Sequence, residues 1–172
     1  EPGGSGDTNA IPTISVDAIP ASRSLWNGHI VVHTSPGEVS TEATLLLFSL
    51  EDFSNVASAV HYERPTEAAD IATRYTEYDL ESWRIPTEDE ARFLRELYLE
   101  YSDELGELFD EAQATPVVVT DDKDNNIRYL CSGAQRTYSF RSGSGYTSIK
   151  NAGAAVENYH MRLVNTVKVQ VK

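Results

Sequence analysis

The sequence predicts an α+β domain in which two helices pack on a small antiparallel sheet, preceded by an N-terminal β segment. Three observations predict it. Residues 10–50 and 117–172 carry short segments that are β-branched or alternate between apolar and polar residues. One long amphipathic stretch opens with a helix-start signal at Thr87. The chain has 172 residues, enough to bury roughly 70% of its unfolded surface in one core. A single domain over 11–172 is therefore expected after a flexible tail at 1–10.

The tail reads Glu1-Pro2-Gly3-Gly4-Ser5-Gly6-Asp7-Thr8-Asn9, a linker by composition. It has no initiator Met and no apolar leader. A trimmed, frayed end fits it. So does a mature exported chain, or the spacer after a lipid-bearing cysteine.

Trp26-Asn27-Gly28 predicts a turn and His29–Thr34 a strand, which Ser35-Pro36-Gly37 ends. Ala43 to Leu50 is the next strand, its continuous apolar run implying burial on both faces; a helix over Thr41–Phe53 also fits the run. Residues 64–80 predict a short helix with Ala68, Ala72 and Tyr75 on one face.

Pro86 pushes Ile85 out of the helical region. Thr87 then stands at an N-cap with Glu90 three residues on, a capping box. A helix should run from Glu88 to about Ala112, with Leu94, Leu97, Tyr101, Leu105, Leu108 and Ala112 on its core face. Arg92, Arg95 and the acidic residues fill its other faces.

Beyond Pro116, Val117–Thr120 and Ile127–Cys131 predict a hairpin around the polar turn Asp121–Asn126. Thr137–Phe140 and Tyr159–Val164 predict further strands. Val167–Lys172 alternates strictly, and its lysines suit a guarded sheet edge.

Charge and composition narrow the function. The net charge is −13 and no three basic residues cluster in sequence, which argues against nucleic acid and against adhesion to anionic lipid. No apolar run approaches the ~20 residues needed to cross a bilayer. The single cysteine, Cys131, forbids an intramolecular disulfide and suits either a cytosolic or an exported protein.

No catalytic motif emerges. There is no Gly-x-Ser-x-Gly, P-loop, GxGxxG or HExxH. Asp122, Asp124 and Asn126 have the spacing of the first ligands of a calcium loop, but Ile127 and Gly133 stand where Gly and Glu are required, so a solvated turn is expected. His29 and His33 should share one strand face about 13 Å apart, too far to share a metal. No metal and no cofactor is expected. Cys131 reads as a buried inert thiol.

The stretch Asp79-Leu80-Glu81-Ser82-Trp83-Arg84-Ile85-Pro86-Thr87-Glu88-Asp89-Glu90 resembles the WRLPT-x-x-E signature of bacterial exported domains with a C-type-lectin-like fold. These include domains related to formylglycine-generating enzymes and many Bacteroidetes surface lipoproteins. Tyr159–Val164 is similar to the family's closing "hR-hV" strand. The resemblance covers about residues 43–165. It implies a short helix before the motif, a second helix beginning in it and a small antiparallel sheet after it. It further implies export to the cell surface or periplasm of a Gram-negative bacterium, with a lipid anchor upstream compatible with that setting. The catalytic cysteine pair of the formylglycine-generating enzymes and the calcium motifs of the lectins are absent from this chain.

Trp83, Arg84, Pro86, Thr87 and Glu90 are thus expected to be structural, with Trp83 wedged against the sheet and Arg84 paired to a carboxylate. The expected function is a non-catalytic exported surface module that binds a glycan or a protein partner. Its face should be the loop region from about 121 to 158, with Arg128, Tyr138, Arg141 and Tyr146 as candidate contacts. Two alternatives stand beside it. One is a structural subunit of a fimbrial or other surface assembly, with Val167–Val171 completing a neighbour's sheet. The other is an enzyme of unrecognised type.

Overall fold

The computed structural model describes residues 13–119 and 127–172. The predicted tail and the Asp121–Asn126 turn lie outside the described residues. The elements run β1 (Thr13–Val16), β2 (Ser24–Trp26), β3 (His29–Pro36), β4 (Glu42–Phe48), β5 (Phe53–Val56), α1 (Glu67–Arg74), α2 (Glu88–Glu100) and α3 (Ser102–Glu111). There follow β6 (Tyr129–Cys131), β7 (Arg136–Tyr138), a 3₁₀ turn at Ser144–Tyr146, β8 (Lys150–Asn151), β9 (Tyr159–Met161) and β10 (Val164–Val171). The fold is α+β, with two mostly antiparallel sheets ordered β1-β10-β4-β3-β2 and β5-β9-β6-β7-β8.

The first sheet is the middle layer. Leu45, Leu47, Val167 and Val169 face a core that includes Ala68 and Ala72 of α1, Trp83 and Met161. Ile30, Val32, Phe48 and Val164 face a second core with Leu94 of α2, Leu105 and Phe109 of α3, and Tyr129. The apolar run of β4 is explained by this, since both of its faces are covered.

The signature segment behaves as its chemistry requires. Trp83 is 4% exposed and donates its indole N–H to Leu80 O at 2.9 Å. Thr87 Oγ1 accepts from the Glu90 N–H, and Glu90 accepts from the Thr87 N–H, closing the capping box. Arg84 grips Glu90 with two bonds of 2.5 and 2.8 Å and also donates to Thr166 Oγ1 at 2.8 Å. Its backbone exchanges two hydrogen bonds with Val164. The start of α2 is thereby tied to β10.

Five expectations need correction. The long helix is two helices, broken at Tyr101 with φ −119° and ψ 31°. Apolar spacing continues through the break, where the Arg23 guanidinium sits 3.8 Å over the Tyr101 ring, and beyond it Leu105 and Phe109 lie in the core. The helix at 64–80 ends at Arg74, and Glu77 and Leu80 close a tight turn instead.

Val117–Val119 is not a strand. Val117 is buried as loop and the Val118 N–H bonds to Tyr129 Oη, so β6 forms its hairpin with β7. His29 and His33 do not share a face: the register shifts between Val31 and His33, and the extra residue turns His33 toward Phe93 of α2 while His29 stays beside Trp83.

Last, Val167–Lys172 is no edge. β10 lies between β1 and β4, so Lys168 points to solvent from an interior strand and Lys172 follows its end. The strand offered for completing a neighbour's sheet has both sides occupied.

Candidate functional site

The segment from Ser139 to Lys150 is fastened from beneath by two buried arginines. Arg95 of α2 donates through Nη1 to Ser139 O at 2.6 Å and Arg141 O at 2.7 Å. Arg128 donates through Nε to Thr137 Oγ1 at 2.7 Å, and through Nη2 to Thr137 O and Ser148 O, both at 2.9 Å. Both are 7% exposed, and burial holds both guanidinium values below their usual range. The nearby charge of Arg95 lowers Arg128 further.

On this base Arg141 lies with its guanidinium carbon 4.4 Å from the Tyr146 ring centroid, a cation–π stack. The stack is set by a sharp turn. Gly143 has φ 117°, which side-chain-bearing residues rarely adopt, and its carbonyl accepts the Tyr146 N–H at 3.0 Å. Arg141 and Tyr146 are half-buried, with Ser142, Gly143, Gly145, Thr147 and Ser148 exposed around them.

Most arginines among the described residues are ion-paired, Arg74 being an exception outside this loop, whereas those at the loop are not. Arg23, Arg64, Arg84, Arg92, Arg136 and Arg162 each face a carboxylate. Among the described residues no carboxylate lies within ion-pair distance of Arg95, Arg128 or Arg141. Nη1 of Arg128 and of Arg141 is buried without a hydrogen-bond partner among the described residues. In a chain of net charge −13 the loop is a local concentration of uncompensated positive charge.

The structure brings Arg141 and Tyr146 together and buries Arg128 against Thr137 and Ser148 of the same segment's base. It separates Tyr138, which is 2% exposed and packs its ring against Tyr129 and Phe140. Tyr138 belongs to the core, where burial pushes its phenol well above the usual range. Arg95 is the member that sequence reasoning missed, because it stands among the charged residues of an amphipathic helix. Cys131 is buried in β6, its thiol pushed up to about 11 by burial.

Two polar hubs are buried beside the β4 end. Asp52 receives the Tyr129 hydroxyl and pairs with His160 Nδ1 at 2.7 Å. Arg162 lies 3.5 Å from the same carboxylate and donates to Ser49 O at 2.7 Å, Thr115 O at 2.5 Å and Leu50 O at 3.3 Å. Its guanidinium is flanked by the Phe48 and Phe109 rings. In the other hub, Glu77 meets His29 Nδ1 at 2.5 Å and accepts from the Leu50 N–H and the Tyr75 hydroxyl. Both hubs pin the Ser49–Asp52 loop where it leaves β4.

Among the described residues no group of three or more His, Cys, Asp and Glu side chains could hold a metal ion, and no helix is long and apolar enough to cross a membrane. Comparison of the chain with models of protein families, with curated proteins and with solved structures yields no match.

Proposed function

We propose that the chain is a non-catalytic, exported surface module that binds a glycan or a protein partner through the Ser139–Lys150 loop. The observation that carries this reading is the Arg141–Tyr146 stack above two buried arginines that face no carboxylate among the described residues. A guanidinium stacked on a half-buried aromatic recognises planar anionic groups. The chemistry it selects is a carboxylate or sulfate on the ligand, as borne by an acidic glycan or an acidic protein segment.

The scaffold supports a C-type-lectin-like reading. A short helix, α1, precedes the signature; α2 begins in it; the β6–β9 sheet follows; and Met161-Arg162-Leu163-Val164 leads into the closing strand. The setting at the cell surface or in the periplasm of a Gram-negative bacterium rests on that resemblance. A non-catalytic role is supported by what the reactive groups do. Asp52, His160 and Tyr129 are bound to one another, and Cys131 is buried with its thiol value raised.

The test is a glycan array carrying uronic-acid, sulfated and neutral glycans, run beside a surface pull-down, with the wild-type chain and Arg141→Ala. Acid-bearing glycans or an acidic protein should bind the wild type and bind Arg141→Ala at least tenfold more weakly, a loss of about 1.4 kcal/mol. Empty results in both assays would overturn the reading.

A further inference from the structure

Two tight turns meet at the surface end of the first sheet. In one, Trp26 pairs with His29 across Asn27 and Gly28, with φ 50° and 87°. In the other, Glu77 and Leu80 exchange backbone hydrogen bonds of 3.1 and 2.9 Å across Tyr78 and Asp79, with φ 48° and 66°. Both place their two central residues in left-handed backbone. Asn-Gly is the expected occupant of such a turn; Tyr-Asp is not. A bulky residue there is a true outlier and carries backbone strain.

Burial does not offset that strain, because Tyr78 is 63% exposed. Its ring lies close against Gly28 instead. A Cβ at Gly28 would stand 2.6 Å from Tyr78 Cε2 and 2.9 Å from Cζ, so only glycine admits the ring. The ring also makes a T-shaped pair with His29, centroids 5.5 Å apart, and His29 is fixed by Glu77, itself held by the Leu50 N–H and the Tyr75 hydroxyl. The aromatic is therefore presented on a rigid mount, with exposed Asn27 and Asp79 beside it.

We propose that Tyr78 is the stacking platform of a second binding site, which takes the apolar C–H face of a neutral sugar ring while Asn27 and Asp79 bond its hydroxyls. The ring face carries the negative side of the aromatic quadrupole, which attracts polarised C–H groups. The carboxylates of Asp79 and Glu81, both exposed, disfavour an anionic ligand. The size favours a sugar over a protein: one ring offers at most ~250 Å², against the ~800 Å² that a stable protein partner covers. The other large exposed apolar residues, Val39, Val60, Tyr62, Leu99 and Val119, belong to other segments.

The experiment is an NMR titration of the full chain with neutral cello-, xylo-, manno- and galacto-oligosaccharides at millimolar concentration. It compares wild type, Tyr78→Phe and Tyr78→Gly. Glycine is at ease at this φ, so Tyr78→Gly removes the ring without straining the turn. At least one neutral series should shift the Tyr78 and Trp26 ring signals, bind Tyr78→Phe equally and bind Tyr78→Gly at least tenfold more weakly. Silence across the neutral panel, equal binding by Tyr78→Gly, or a partner that needs Tyr78 and proves to be a protein would each overturn the proposal. Sulfated and uronic-acid oligosaccharides with Arg141→Ala report on the Ser139–Lys150 loop alone, so the two sites fail separately.

Discussion

Arg162 and Asp52 face each other at 3.5 Å with side chains 0% and 1% exposed, a buried ion pair at the junction of the two sheets. The pair is not left to Coulomb attraction alone. Arg162 satisfies three carbonyls from two loops, and Asp52 also holds Tyr129 and His160. Burial pulls the guanidinium value down, and the Asp52 charge opposes it.

Removing the cation leaves Asp52 buried and several carbonyls without donors. Arg162→Met should therefore destabilise the chain by about 3–5 kcal/mol. Arg162→Lys should recover little of it, since an ammonium cannot reproduce the planar fork. Urea unfolding of the two variants measures this directly. Wild-type stability in Arg162→Met would contradict the hub.

Trp83 joins the signature to the core. Its ring stands 5.4 Å from Tyr75 in a T-shaped pair, and its N–H is satisfied by Leu80. Trp83→Ala should cost about 3–5 kcal/mol through the cavity it leaves. Thermal melts of both proteins provide the check, and an unchanged melting temperature would be incompatible with the wedge.

Glu90 links stability to pH. Burial pushes its carboxyl up, but the Arg84 hydrogen bond, the Thr87 N–H and the Arg84 charge outweigh burial, so it sits below its ordinary value of 4.5. A carboxyl lowered by folding contributes stability that is present above its unfolded value and lost as pH falls through the folded one. Unfolding free energy should thus decline below about pH 4.5. Arg84→Met should be less stable at neutral pH and show a shallower acid decline over the same window. Denaturant titrations at neutral pH and about pH 3 compare the two.

Gly106 occupies the interior of α3, and a Cβ there would meet nothing within 4 Å. Gly106→Ala should stabilise the protein by up to about 1 kcal/mol by lowering the entropy of the unfolded chain. A lower melting temperature would mean that α3 needs the glycine for some other reason.

Local chemistry was legible in the sequence where the responsible groups are neighbours in the chain. Thr87 and Glu90 cap α2, Arg84 reaches Glu90 six residues on, and the alternation of β10 buries Val167 and Val169 while exposing Lys168 and Gln170. What depends on partners distant in sequence was not legible. At the break Tyr101 stacks under Arg23, distant in sequence; the displacement of His33 follows the β3–β4 register; and alternation in β10 reports one solvated face without saying whether both edges are paired. The candidate site divides the same way. Arg141 and Tyr146 meet within one short loop, whereas Arg95 reaches it from α2 and Tyr138 points into the core.

The parallel pairing of β1 with β10 also sets how the domain would carry a pull. Thr13 lies opposite Lys168 and Val16 opposite Val171. Tension applied at the leading end of β1 and the trailing end of β10 runs along the two strands in opposite senses, so their cross-links are loaded together in shear instead of being peeled apart one by one.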